Sequence, residues 1–267
     1  MLPAPLAEIR PLWLLVVGAL SLQGLVGCKP APKVAGVISD VWGNPIDNAT
    51  VQLEGVLAHV TTDADGRFVF TDAGEGQVTL KAGKDGYVVG KTEIDRAVQN
   101  LSVSMELFPA PEELGFFAVD RKSLGALEGA QVFSKGTEIR SVTGIQEPGN
   151  VALKHGNVLR FVFHSELRRS ELSRLDLQLH KLEFIDSTAI PSLLGDVEAR
   201  VNLWIATDAT PFELRGLSRE HYLITTREPL EAGVYAFHTE GLLTSNDGRS
   251  LELMPREMQV AYPFEVK

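Results

Sequence analysis

Six histidines (His59, His155, His164, His180, His221 and His238) and one cysteine, Cys28, are the side chains of this 267-residue sequence best suited to bind a metal or attack a substrate. No two of the histidines stand at ligand spacing. The sequence also has neither His-Glu-x-x-His nor a Gly-x-Ser-x-Gly nucleophile turn. Cys28 has no second cysteine to bridge and no nearby Cys or His to complete a zinc site. The expectation is therefore no catalytic residue, no metal and no cofactor, and a protein that is not an enzyme. Because catalytic partners often come from distant strands, spacing in sequence does not by itself prevent a cluster from assembling in space.

Two further stretches invite a chemical reading. In TTDADGRFVFTD (61–72), Asp63, Asp65, Gly66 and Asp72 fall at positions three, five, six and twelve of a calcium loop, but Thr61 replaces the first aspartate and Asp72 the bidentate glutamate. The flanks alternate like strands where that motif needs helices, so 62–66 is expected to be a hairpin turn. Asp63 and Asp65 would bond to backbone there and Gly66 would take positive φ. GYVVGKT (86–92) ends like a phosphate loop. It has three residues between its glycines where four are needed, and KTEIDRAV reads as a strand end and not as a helix start.

The elements that must position these residues are strands. Fourteen prolines and 24 glycines punctuate short alternating segments, which argues for an all-β chain of antiparallel sandwiches. Pro-Ala-Pro occurs in KPAPK (29–33) and in FPAPEEL (108–114), and such stretches favour extended spacers. The divisions that follow are 1–27 as an N-terminal leader, 28–33 as a tether, 34–107 as a first domain, 108–114 as a linker and 115–267 as a second β-rich domain.

Seven candidate strands fill 34–107, divided by the turn signals GNP, DADG and KDG. The residues Gly36, Asp40, Gly43, Pro45, Ala49, Val51, Thr62, Asp63, Gly66, Phe68, Gly86 and Tyr87 follow one recurring pattern. In it the segment resembles the carboxypeptidase regulatory-like domain, a transthyretin-like β-sandwich. The resemblance implies a module without chemistry of its own, which serves as a spacer, docking surface or companion to another domain. Trp42 sits in its DVWGNP turn, where a polar residue would serve equally. An exposed indole there would be a binding surface for a protein or a sugar ring, and the alternative is a ring folded over its own sandwich edge.

In 115–267 the longer alternating runs 174–184 and 197–207 are expected to pair as a hairpin, and 165–174, dense in both charge signs, as a short helical turn with a solvated face. Leu230, Gly233, Tyr235, Asp247 and Gly248 give this domain a resemblance to bacterial immunoglobulin-like modules, which implies a second sandwich.

The N-terminus adds a destination. Leu12 to Val26 is apolar apart from Ser21 and Gln23, and Arg10 precedes it. The run is shorter than the roughly 20 residues a membrane-spanning helix requires, as in a signal peptide. Leu25, Val26, Gly27 and Cys28 resemble the lipobox of bacterial lipoproteins. That resemblance implies cleavage before Cys28, a diacylglycerol (palmitate) thioether on it and acylation of the new amino terminus. At about 0.8 kcal/mol per buried methylene, two or more chains anchor stably where one does not. Lys29, in place of an aspartate, implies delivery to the outer membrane over retention in the inner one, with the protein facing the periplasm or the surface.

A formal net charge of −10 leaves no footprint for nucleic acid or for anionic headgroups, so membrane contact falls to the lipid. The sequence thus points to a lipid-anchored, noncatalytic binding or assembly subunit of the bacterial envelope, with an envelope protein as partner. The alternatives are a glycan- or cell-wall-binding module and an accessory protein of an exported hydrolase.

Overall fold

The computed structural model describes residues 33–243 and 255–267, apart from 58, 72, 75, 97, 99, 100 and 138. The lipobox residues Leu25, Val26, Gly27 and Cys28 lie outside the described residues, as do Asp72, Asp247 and Gly248.

Alternation along 34–107 produces seven strands: β1 (Val34–Asp40), β2 (Thr50–Leu53), β3 (His59–Thr61), β4 (Arg67–Phe70), β5 (Gln77–Gly83), β6 (Gly90–Asp95) and β7 (Leu101–Leu107). They form one sheet of order β4-β1-β7 and another of order β3-β2-β5-β6. β1 runs antiparallel to β4 and parallel to β7. Every second residue of β1 points inward, so Val34 and Ile38 meet Val51, Leu53, Leu80 and Phe68 in the core between the sheets.

The pattern residues of this module have physical tasks. Asp40, almost fully buried, accepts the backbone N–H groups of Trp42 (2.9 Å) and Asn44 (2.8 Å) and the Asn44 side-chain amide (2.9 Å), which fixes the WGNP turn. Buried Thr62 accepts from the Ala49 N–H at 2.8 Å and donates to the Ile46 carbonyl at 2.6 Å. The DADG turn is held by Asp63, whose carboxylate accepts from the N–H groups of Asp65 (3.0 Å) and Arg67 (2.8 Å), while Gly66 adopts φ +70°. A Cβ on Gly66 would also strike the Ile38 carbonyl oxygen. The turn forms as the sequence leads one to expect, except that Asp65 faces Arg67 and does not bond to backbone.

The second set of strands is β8 (Gly115–Val119), β9 (Leu124–Ala126), β10 (Val132–Gly136), β11 (Ser141–Ile145), β12 (Ala152–Leu153), β13 (Arg160–His164), β14 (Leu177–Ser192), β15 (Gly195–Ala209), β16 (Phe212–Gly216), β17 (His221–Thr226), β18 (Gly233–Thr239) and β19 (Tyr262–Val266). A five-stranded sheet, β16-β17-β13-β8-β9, faces a seven-stranded one, β10-β11-β15-β14-β18-β19-β12. Between them Phe116 stacks on Phe163 (4.2 Å between centroids) and Phe237 (4.8 Å), and Phe161 packs against Phe264 (5.1 Å). The described residues are all-β apart from short helices.

Two boundaries differ from the sequence reading. The run beginning at 174 starts inside a helix, α1 (Arg169–Leu175). α1 buries Leu172 and stops at Asp176, whose left-handed φ of 45° ends it before β14 begins. The hairpin is also longer than its alternating runs, because Ser187 to Ser192 pairs with Gly195 to Arg200.

Candidate functional site

Trp42 does not stand on a free face. Its ring is partly buried in a cluster built from both modules, with Val41 and Phe108 on one side and Phe117, Val162 and Leu223 on the other, and its indole N–H donates to the Asp120 carbonyl at 2.5 Å. This corrects both readings of Trp42, as an exposed binding surface and as a ring folded over its own sandwich. Beside it, Arg160 of β13 pairs with Glu106 of β7 at 3.0 Å and donates to the Val41 carbonyl at 2.9 Å. The Phe108 ring lies beneath two guanidiniums, those of Arg160 (5.8 Å) and Arg215 (5.9 Å).

The Pro-Ala-Pro segment is tied down at both ends. The carbonyl of Phe108 accepts from Val88 N–H at 2.8 Å, and Ala110 N–H donates to Gly86 at 2.9 Å. Further on, His221 Nε2 contacts the Pro111 carbonyl at 3.2 Å and His164 Nδ1 the Glu113 carbonyl at 2.9 Å. The two imidazoles, directly opposite on β17 and β13, stack at 4.3 Å. Burial pushes the His221 pKa down. The neutral ring then donates from Nε2 and accepts the Ser218 hydroxyl at Nδ1, 3.1 Å away. Residues 108–111 are thus a packed seam, while Glu112, Glu113 and Leu114 are exposed.

A second pair, His180 and His238, meets across β14 and β18 with Nδ1 of His180 2.9 Å from Nε2 of His238. His238 Nδ1 contacts the Thr239 carbonyl at 2.8 Å, so its Nε2 is the acceptor from His180. Burial drives the His238 pKa down to about 4 and lowers that of His180. Among the described residues no carboxylate or hydroxyl nucleophile bonds to either ring, and the arrangement reads as a buried pair whose ring nitrogens bond to each other and to backbone. Both pairs depend on strand register, which carries no spacing signal in the sequence. Among the described residues no group of three or more His, Cys, Asp or Glu is placed to hold a metal ion, and no helix is long and apolar enough to cross a membrane. Lys91 of GYVVGKT lies on β6, with strand and not helix following it.

Among the described residues, two adjacent exposed leucines stand at the far end of the β14–β15 arm. Ser192 pairs with Gly195, which leaves Leu193 and Leu194 as a two-residue turn, 78% and 100% exposed. Ser192 holds that turn by donating to the Gly195 carbonyl at 2.6 Å and accepting the Leu194 N–H at 3.2 Å. The arm bends at register shifts near residues 180–182 and 185–187. The β10–β11 hairpin braces it, because Lys135 Nζ donates to the Val201 carbonyl at 2.6 Å and the Thr137 hydroxyl donates to the Pro191 carbonyl. Ile190, Val201 and Leu203 are buried along the arm, whereas Phe184 and Val197 are about half exposed.

Residues 33–106 match the family model of the carboxypeptidase regulatory-like domain, which identifies the first module as a member of that domain family. No curated protein matches the chain. Among solved structures, a cohesin–X-dockerin complex from Acetivibrio cellulolyticus matches at 20% identity over 30% of this chain and 58% of its own, with a TM-score of 0.26. The streptococcal ancillary pilin matches at 14% identity over 80% of this chain and 54% of its own, with a TM-score of 0.27. A DUF3823 family protein from Bacteroides uniformis matches at 13% identity over 88% and 97%, with a TM-score of 0.22. The chain spans a little over half the length of the first two.

Proposed function

We propose that this protein is a lipid-anchored, noncatalytic binding or assembly subunit of the bacterial envelope, and that it engages a protein partner through the tip of the β14–β15 arm. One observation carries the reading. Two-residue hairpin turns favour Asn, Asp and Gly, yet this one presents Leu193 and a fully exposed Leu194 on a braced arm. Exposed Asp196 and Glu198 flank the tip, which suits an apolar pocket with a cationic rim. The lipobox around Cys28 supports anchoring through acyl chains, and Lys29 supports the outer membrane as the destination. The packed seam supports a stiff body that holds the arm at a fixed place relative to the anchored module. A glycan-binding role draws less support, because Trp42 is engaged between the modules.

The reading is tested by crosslinking in native membranes. A Leu193→Asp/Leu194→Asp double variant is expected to remain in the membrane fraction and lose its crosslinked protein. Retention of the same crosslinks would remove the arm from the interface.

A further inference from the structure

A cleft of about 350 Å³ opens beside the seam, between β6 and β7 of the first module and β16 of the second. Its size is at the lower end of the roughly 300–1,000 Å³ typical of small-molecule sites. Gly90 shapes one wall, since a Cβ there would come within 2.6 Å of both Met105 Sδ and Leu107 Cδ2. The polar groups on the walls are Lys91, Ser104, Glu106 and Arg215.

The charges of this cleft are not balanced. Glu106 is already engaged by Arg160 at 3.0 Å, and Arg215 has no ion-pair carboxylate among the described residues, while Lys91 acts on Glu54, which Lys81 holds at 2.7 Å. Arg215 is also pre-positioned, with its guanidinium over the buried Phe108 ring at 5.9 Å. An arginine fixed on an aromatic face loses less side-chain freedom when it binds, and its planar fork matches a carboxylate. An arginine without an ion-pair carboxylate on a cleft wall is a departure in a chain of net charge −10.

We propose that this cleft is a binding site for a small carboxylate, of a size up to one sugar acid, with Arg215 as the bidentate anchor, Lys91 as the second cation and Ser104 as a hydroxyl partner. The site is separate from the β14–β15 tip and stands or falls independently of the arm's role.

The test is calorimetric titration of the full chain in detergent with D-glucuronate, acetate, D-glucose and sulfate. Glucuronate is expected to bind saturably and glucose not at all. Loss of a charged hydrogen-bonding partner in Arg215→Gln should weaken glucuronate by roughly tenfold or more. Arg215→Lys should fall between, and Arg174→Gln, on α1 outside the cleft, should change nothing. Glucuronate several-fold tighter than acetate would mean that the sugar ring fills the cleft, and equal affinities that the carboxylate alone is read. The proposal is overturned if neither carboxylate binds saturably, if binding survives Arg215→Gln in a protein with unchanged thermal unfolding, or if sulfate binds as tightly as the carboxylates.

Discussion

Trp42 and Leu194 stand in turns of similar sequence character, each a large apolar residue where a polar one would serve. The first is covered and the second is not. Trp42 closes onto Phe117, Val162 and Leu223 of the other module and finds an acceptor in the Asp120 carbonyl. Leu194 extends from a turn that the Ser192 hydroxyl holds, in part through the Leu194 backbone N–H, so the leucine side chain takes no part in those hydrogen bonds. An apolar residue in a turn therefore carries two meanings. One is an intramolecular seam, whose loss should be felt in stability. The other is a surface that water meets until a partner arrives, whose loss should be felt in association.

Changes within the body should have the largest effects on stability. His238 titrates near 4 when folded against 6.5 in the unfolded chain, because burial disfavours its charged form. The unfolded state then binds more protons between those values. Stability from this group is complete above about pH 6.5 and declines as pH falls toward 4, by about 3 kcal/mol in all. Urea midpoints measured from pH 7 to pH 4 should show that slope, and His238→Gln should flatten it.

At the seam, Trp42→Ala removes a partly buried ring and one hydrogen bond and should cost about 2 kcal/mol. The sharper signature is in cooperativity, because weakening the seam should split one calorimetric transition into two. A single, merely lower transition would mean that the modules stay coupled without Trp42. Thr62→Val strands the Ala49 N–H and the Ile46 carbonyl inside the first module, and a loss of about 1–2 kcal/mol is expected in urea unfolding. Leu194→Ser should move stability by less than about 0.5 kcal/mol, since the side chain is already in water. A larger loss would show that the tip belongs to the fold and not to an interface.

Much of the first module was legible because its signals are local. Asp40, Thr62, Asp63 and Gly66 act within turns or between neighbouring strands, so the residue types that satisfy them recur in a readable pattern. In the second module the existence of the β14–β15 hairpin was legible from alternation, but its length was not. Pro191 and the Ser-Leu-Leu-Gly that follows read as a break, yet Pro191 pairs with Asp196 near the strand end, where the β10–β11 hairpin supports the arm from 54 residues away. The candidate sites were the least legible. Trp42 meets its acceptor 78 residues on, and His180 meets His238 58 residues on, through strand registers that no spacing rule encodes. The helical turn expected within 165–174 forms as α1, but its buried anchor, Leu172, was not legible from the charge pattern.

The most direct test is mass-spectrometric identification of what crosslinks to the protein in its native membrane. It should compare the unaltered chain with Leu193→Asp/Leu194→Asp and with Cys28→Ser. One or two proteins are expected in fixed proportion to the unaltered chain, lost from the tip variant while it stays membrane-bound, and lost from Cys28→Ser together with the membrane itself. The same partners on the tip variant, or no protein partner on the unaltered chain, would contradict an assembly role through the arm.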